Sequence, residues 1–103
     1  MKNEFIGIEI VADNQSFEFQ VQGTYEASQK EHEGKVVHDL NLDFNTEDES
    51  SDEVLEWFLK ARKEHKAFKL QLRTENNEKL ETEVSKVGQA VVSDTVKYIE
   101  LID

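Results

Sequence analysis

Apolar and polar residues alternate along most of this chain. In FEFQVQGTYEA, Phe17, Phe19, Val21, Gly23, Tyr25 and Ala27 fall on one side while Glu18, Gln20, Gln22, Thr24 and Glu26 fall on the other. This two-residue period belongs to a strand with one face buried. Ile6, Ile8, Ile10 and Ala12 repeat it, and the intervening ADNQS offers Asp13 and Asn14 as turn formers. Residues 4–27 therefore read as a hairpin of strands 4–12 and 16–27. After a polar connection, SQKEHEGK, a third run of Val36, His38, Leu40, Leu42 and Phe44 predicts a strand over 35–44.

The period then lengthens. Val54, Phe58, Ala61 and His65, flanked by Leu55 and Trp57, share one side of a 3.6-residue repeat, so a helix is expected over 51–65. Ser50 stands three residues before Glu53, the spacing of a capping box. Alternation returns in Phe68, Leu70 and Leu72, and a turn is expected at Asn76 and Asn77 before Leu80, Thr82 and Val84. The phase slips at Ser85 and Lys86 ahead of VGQAVV, which predicts a bulge or sharp bend near Gly88. TVKYIELI supplies a last strand. The predicted strands are thus 4–12, 16–27, 35–44, 68–74, 79–92 and 95–102, with Phe17, Phe19, Val21, Leu40, Leu42, Phe58, Leu70 and Leu72 inside.

This order, βββ-α-βββ, predicts an α+β fold that is mostly β. An antiparallel sheet or small β-barrel of about six strands, with one helix packed on it, fits alternating strands better than a parallel α/β arrangement does. The 103 residues suit one domain, 1–103, and no repeat or linker divides them. Apolar residues make up only 37%, yet the aromatic ones are spread through the periodic segments, so a folded core is expected. There is no cysteine, which excludes disulfides and thiolate chemistry and leans the expected setting towards a reducing one. The stretch from Met1 to Ala12 contains Glu4 and Glu9 and no long apolar run, so neither a signal peptide nor a membrane span is expected there, and a cytoplasmic location is.

Charge changes the picture most. The net charge is −11, and residues 39–56 alone carry −8, whereas 57–73 carry +5. DFNTEDESSDEVLEW, residues 43–57, holds seven carboxylates without a lysine, arginine, glycine or proline. As a calcium loop it places Asp43, Asn45, Glu47 and Glu49 at alternate ligand positions. However, Asp48 stands where a turn glycine belongs, and Val54 where a bidentate glutamate should close the shell. Helix electrostatics account for Asp52 and Glu53 in the first turn and for Arg62, Lys63 and Lys66 near the end. Asp43, Glu47, Asp48 and Glu49 are left as either a solvated approach or a surface facing a partner.

Other chemistry finds little material. His32 lies in a polar connection, His38 is in phase with an apolar face and reads as partly buried, and His65 ends the helix. No two of them have ligand spacing, and no serine has a nucleophile-elbow context. Carboxylate pairs are abundant, but no apolar cleft that would tune one is legible. Trp57 reads as core rather than as an exposed anchor. A non-enzymatic protein without metal or cofactor is expected. The basic residues are too few for direct nucleic-acid binding.

YEASQKEHEGKVV, LNLDF, EVLEWFLK and FKLQL, in that order, resemble the tube-forming subunits of the hemolysin-coregulated type and phage tail tubes. The matching positions are Tyr25, Gln29, Gly34, Leu55, Trp57 and Phe68, over about half of the chain. The resemblance implies a β-barrel with a packed helix, assembled into rings through strand edges and without catalysis.

Two functional classes follow. The first is a small acidic module docking on a basic, nucleic-acid-handling protein, as immunity proteins, phage-encoded inhibitors and DNA mimics do, through Asp43, Glu47, Asp48, Glu49, Asp52 and Glu56. The second is a self-assembling tube or ring subunit of a phage tail or type VI secretion apparatus. Net charge favours the first.

Overall fold

The computed structural model describes residues 3–103, with the side chain of His32 outside that description. Among the described residues nine strands are formed: β1 Asn3–Phe5, β2 Gly7–Ala12, β3 Gln15–Phe19, β4 Gly23–His32, β5 Lys35–Phe44, β6 Phe68–Arg73, β7 Lys79–Val84, β8 Lys86–Val92 and β9 Lys97–Ile102. A 3-10 turn, Glu49–Ser51, leads into one helix, α1, Asp52–Glu64. All pairings are antiparallel. They build a five-stranded sheet ordered β1-β4-β5-β9-β8 and a four-stranded sheet ordered β3-β2-β6-β7. The α+β, mostly β class holds, and the two-sheet form replaces the closed barrel.

Three of the six predicted strands are broken because the chain changes sheet there. Run 4–12 breaks at Ile6, whose N–H donates to the Arg73 carbonyl (2.7 Å) as the chain leaves β1 for β2. Run 16–27 breaks over 20–22, where the chain passes from β3 to β4 with Val21 still buried. Run 79–92 breaks at Ser85, whose N–H turns to the Ile102 carbonyl (2.8 Å). The expected irregularity near Gly88 is a register shift between Val87 and Ala90.

The turns follow local chemistry. Asp13 and Asn14 both have positive φ between β2 and β3, as do Glu33 and Gly34 between β4 and β5, the geometry favoured by two-residue hairpins. Asn77 takes the left-handed conformation in the turn after β6. SQKEHEGK is mostly strand rather than a connection. Beyond Asp39, β9 no longer pairs with β5 except through the Asp103 N–H on the His38 carbonyl (2.9 Å), so residues 29–37 form a two-stranded ribbon, and its segment 28–35 has no apolar alternation to read. That ribbon also exposes Val36 (65%), and His38 beside it is exposed, correcting the expectation of a partly buried histidine.

One core lies between the sheets. It takes Leu40, Leu42, Ile99 and Leu101 from the larger sheet, Ile8, Ile10, Leu70 and Leu72 from the smaller one, and Val54, Leu55, Phe58 and Ala61 from α1. The helix packs against β8, and Trp57 reaches Phe17 on β3 and Phe68 on β6, with ring centroids at 6.1 and 4.9 Å. α1 therefore closes the side of the core between an edge of each sheet. Phe17 and Phe19, expected inside, are only partly buried, because β3 is an edge strand whose inner face meets the helix margin.

The helix ends differ from the sequence expectation. No Ser50–Glu53 box forms. Asp48 caps the 3-10 turn instead, accepting the Ser50 N–H at 2.9 Å, and Ser51 precedes α1 without a side-chain cap bond. At the other end, His65 is left-handed (φ 54°) and exposed, not on the packed face. Its N–H reaches the Arg62 carbonyl while Lys66 N–H reaches that of Ala61, a Schellman ending without the usual glycine.

Phe58 is fully buried where the helix meets both sheets. Phe58→Ala is expected to cost about 3–5 kcal/mol in urea unfolding, whereas Val36→Ala on the ribbon should change stability by under about 0.5 kcal/mol.

Candidate functional site

The acidic stretch is ordered by its own side chains. The Asn45 side-chain oxygen accepts the Glu47 N–H (3.0 Å), Asp48 accepts both the N–H and the hydroxyl of Ser50 (2.9 and 2.6 Å), and the Ser51 hydroxyl donates to the Asp48 carbonyl (2.8 Å). The hydrogen bonds from Ser50 hold the Asp48 carboxyl below the usual carboxylate range. Lys97, from the core-facing side of β9, is only 10% exposed and runs beneath this turn. Its ammonium donates to the Asp48 carbonyl (3.3 Å), the Ser51 hydroxyl (3.4 Å) and Asp52 (3.3 Å).

The predicted site residues consequently separate. Glu47, Glu49, Asp52 and Glu56 are exposed and run from the turn onto the outer side of α1. Asp48 is a half-buried cap, and Asp52 is partly matched by Lys97. Asp43 lies apart from them on β5, opposite Thr24 and Tyr98. Among the described residues, no three carboxylates or imidazoles gather as metal ligands would.

A second cluster was not predicted. It covers the outer face of the larger sheet, where Ser28 and Lys30 on β4, Asp39 and Asn41 on β5, and Tyr98 and Glu100 on β9 point away from the core. Asp39 and Glu100 are buried even so, each 5% exposed. Lys30 spans them: its ammonium donates to Glu100 and lies 3.4 Å from Asp39. The Ser28 hydroxyl donates to Asp39 (2.6 Å), Asn41 donates to Ser28 (3.3 Å), and the Tyr98 hydroxyl donates to Asn41. Burial alone would raise the Asp39 carboxyl, but the Ser28 hydrogen bond and the Lys30 charge outweigh it, and the net shift is downward. The hydrogen bond to Glu100 raises the Lys30 ammonium. Burial, and then the Glu100 charge, push the Tyr98 hydroxyl up, so it stays a donor.

Cavities border both groups: one with about 170 Å³ of free space is lined by Ser28, Asp39, Leu80 and Val84, and one with about 370 Å³ by Gly23, Asp43 and Asn45. A smaller one, about 80 Å³, lies at the smaller sheet beside Gly7, Gln20, Arg73 and Lys79. The clusters also adjoin unpaired backbone. β1 pairs only with residues 23–25 of β4, so from Glu26 to His32 that side of β4 has no partner strand among the described residues, and β8 is the opposite edge of the same sheet. Comparison with family models, curated proteins and solved structures gives no match. Among the described residues, no helix is long and apolar enough to cross a membrane.

The missed residues left one local trace. Lys97 occupies the core phase of Lys97, Ile99 and Leu101, and a lysine in that phase calls for a buried partner. Lys30 and Glu100 left none, being 70 positions apart.

Asp39 and Asp48 both have lowered folded-state values, so the stability they confer is present above the ordinary carboxylate value and is lost as pH falls through the lowered one. A D39N/D48N variant should be less stable than wild type at neutral pH and approach it as pH falls below the ordinary carboxylate value, giving a shallower acid limb in urea titrations.

Proposed function

We propose that this chain is a non-enzymatic, self-assembling subunit whose copies join through the edges of the larger sheet. The observation that carries this reading is the side of β4 from Glu26 to His32, which has no partner strand among the described residues, continued by a ribbon over 29–37 with which no described third strand pairs. An isolated two-stranded ribbon is marginal in water, and an unpaired strand edge is a template for another strand. Strand direction supports the same reading. Successive antiparallel pairing of β4, β5, β9 and β8 leaves β8 antiparallel to β4. A second copy in the same orientation can thus set its β4 against β8 and extend the ladder. Such a head-to-tail contact closes into a ring or grows into a filament. The resemblance to tube-forming subunits agrees with it.

The chain has no cysteine, so engineered thiols report this contact cleanly. Gln29→Cys combined with single cysteines scanned over residues 88–92 should give an oxidised ladder of dimers, trimers and larger species in one register. A ladder in none of the five would overturn the reading. Because each copy carries −11, assembly should strengthen as salt rises.

A second reading, an acidic surface docking on a basic protein, is favoured by the exposed run of Glu47, Glu49, Asp52 and Glu56. It requires the opposite salt response, since screening weakens attraction between unlike partners. Reversing Glu47, Asp48, Glu49 and Asp52 to lysine should then slow association with a basic partner recovered by pull-down more than it speeds dissociation. Normal binding by the reversed protein would discard this reading.

A further inference from the structure

The register shift in β8 sets two residues, Gly88 and Gln89, against Glu100 on β9. The single peptide group joining them is held from both ends by side chains. Its carbonyl accepts from Arg62 Nε of α1 (2.7 Å), and its N–H donates to Glu100 Oε1 (3.2 Å). The other oxygen of Glu100 accepts from Lys30, on the uncovered part of β4. Gly88 suits this arrangement, because a Cβ there would clash with Glu100 Oε1 and with Ile102 Cδ1. A relay of side chains thus runs from one edge of the larger sheet to the other: Lys30, Glu100, the Gly88–Gln89 peptide, Arg62.

We propose that this relay is a latch that keeps β8 closed to strand pairing until β4 is engaged. With the carbonyl of Gly88 occupied by Arg62 and the N–H of Gln89 turned to Glu100, the middle of β8 offers a partner strand neither group of that peptide. A bulge that diverts backbone groups is a recognised way of blunting an edge. Glu100 remains in place because Lys30 neutralises it beside the equally buried Asp39. A strand added to β4 at Lys30 competes for that ammonium. Glu100 then loses its counterion, the peptide loses its anchor, and the far edge opens. Addition of one copy would prepare the site for the next. The latch and this consequence rest on the strand-edge reading; the hydrogen-bonded relay does not.

The test is amide hydrogen exchange on dilute, monomeric protein. Lys30→Met should speed exchange at Gln89 at least tenfold while Ile99 and Leu72 keep wild-type protection, and Lys30→Arg should restore it. Gly88→Ala, which displaces Glu100 from the other side, should give the same rise and serves if Lys30→Met does not fold. Unchanged Gln89 exchange in a folded Lys30→Met or Gly88→Ala protein overturns the latch. Arg62→Gln should separately lower the concentration at which larger species appear in sedimentation. Faster exchange at Gln89 with no variant assembling at any concentration would leave the relay standing as a structural clamp, and would remove the strand-edge reading and the latch with it.

Discussion

The apolar face of one helix decides whether this protein has an interior. Two antiparallel sheets bring Leu42, Ile99, Ile10 and Leu70 together, but a pair of open sheets leaves the sides of the core wet. Val54, Leu55, Phe58 and Ala61 seal one side, with Trp57 spread over Phe17 and Phe68 at the margin. A small domain with a low apolar fraction has little burial to lose, so the helix cannot be marginal to its stability. Its anchoring shows the same dependence. Lys97 ties the entry turn to β9, and Arg62 ties the last turn to β8, so both ends of α1 are fastened to the two strands that finish the larger sheet.

Where the sequence was legible, local periodicity and tertiary burial coincided. β5 over 35–44 and α1 within 51–65 stand where alternation and the 3.6-residue repeat place them, and the slip at Ser85 marks a true break. At Ile6 the buried phase reverses, from Phe5 to Ile8 and Ile10, but one buried residue before the break is too short a run to show it. The change within 16–27 was hidden because the side-chain phase survives it. Val21 remains inside as the chain passes from β3 to β4, so the two-residue period runs on while the hydrogen-bonded ladder does not. The ribbon failed for the opposite reason. Val36 and His38 keep the apolar phase of β5 beyond the point where any core exists to receive it. Phase tells which face a residue takes and leaves open whether that face is covered.

The acidic stretch was the most conspicuous feature of the sequence, and the fold divides it. Asp48 works as a cap, Asp52 is partly matched by Lys97, and Asp43 belongs to a different face. What stays outward is narrower than the composition suggested: Glu47, Glu49 and Glu56, with Asp52 beside them. The uncovered backbone of β4 carries no compositional mark at all, because an edge is a property of pairing rather than of residue type. This is why the charge-based reading came first from the sequence and the edge-based reading from the fold.

The Lys30–Asp39–Glu100 cluster is hard to explain as a stabilising device. Two carboxylates withdrawn from water cost several kcal/mol before any pairing, and such clusters are often no better than apolar replacements, on the order of break-even. An exposed sheet face does not need buried charge, since threonines or exposed glutamates would solvate it. What ions offer and apolar groups do not is a conditional structure. The arrangement is satisfied only when Lys30 on β4, diagonal to Asp39 on β5, also reaches Glu100 on β9, and a slip of any one of these strands by one residue would turn its own member towards the core. The cluster therefore fixes one alignment of three strands and keeps it sensitive to whatever approaches Lys30. On an edge that has no partner strand among the described residues, that sensitivity is a reason for charge to be there.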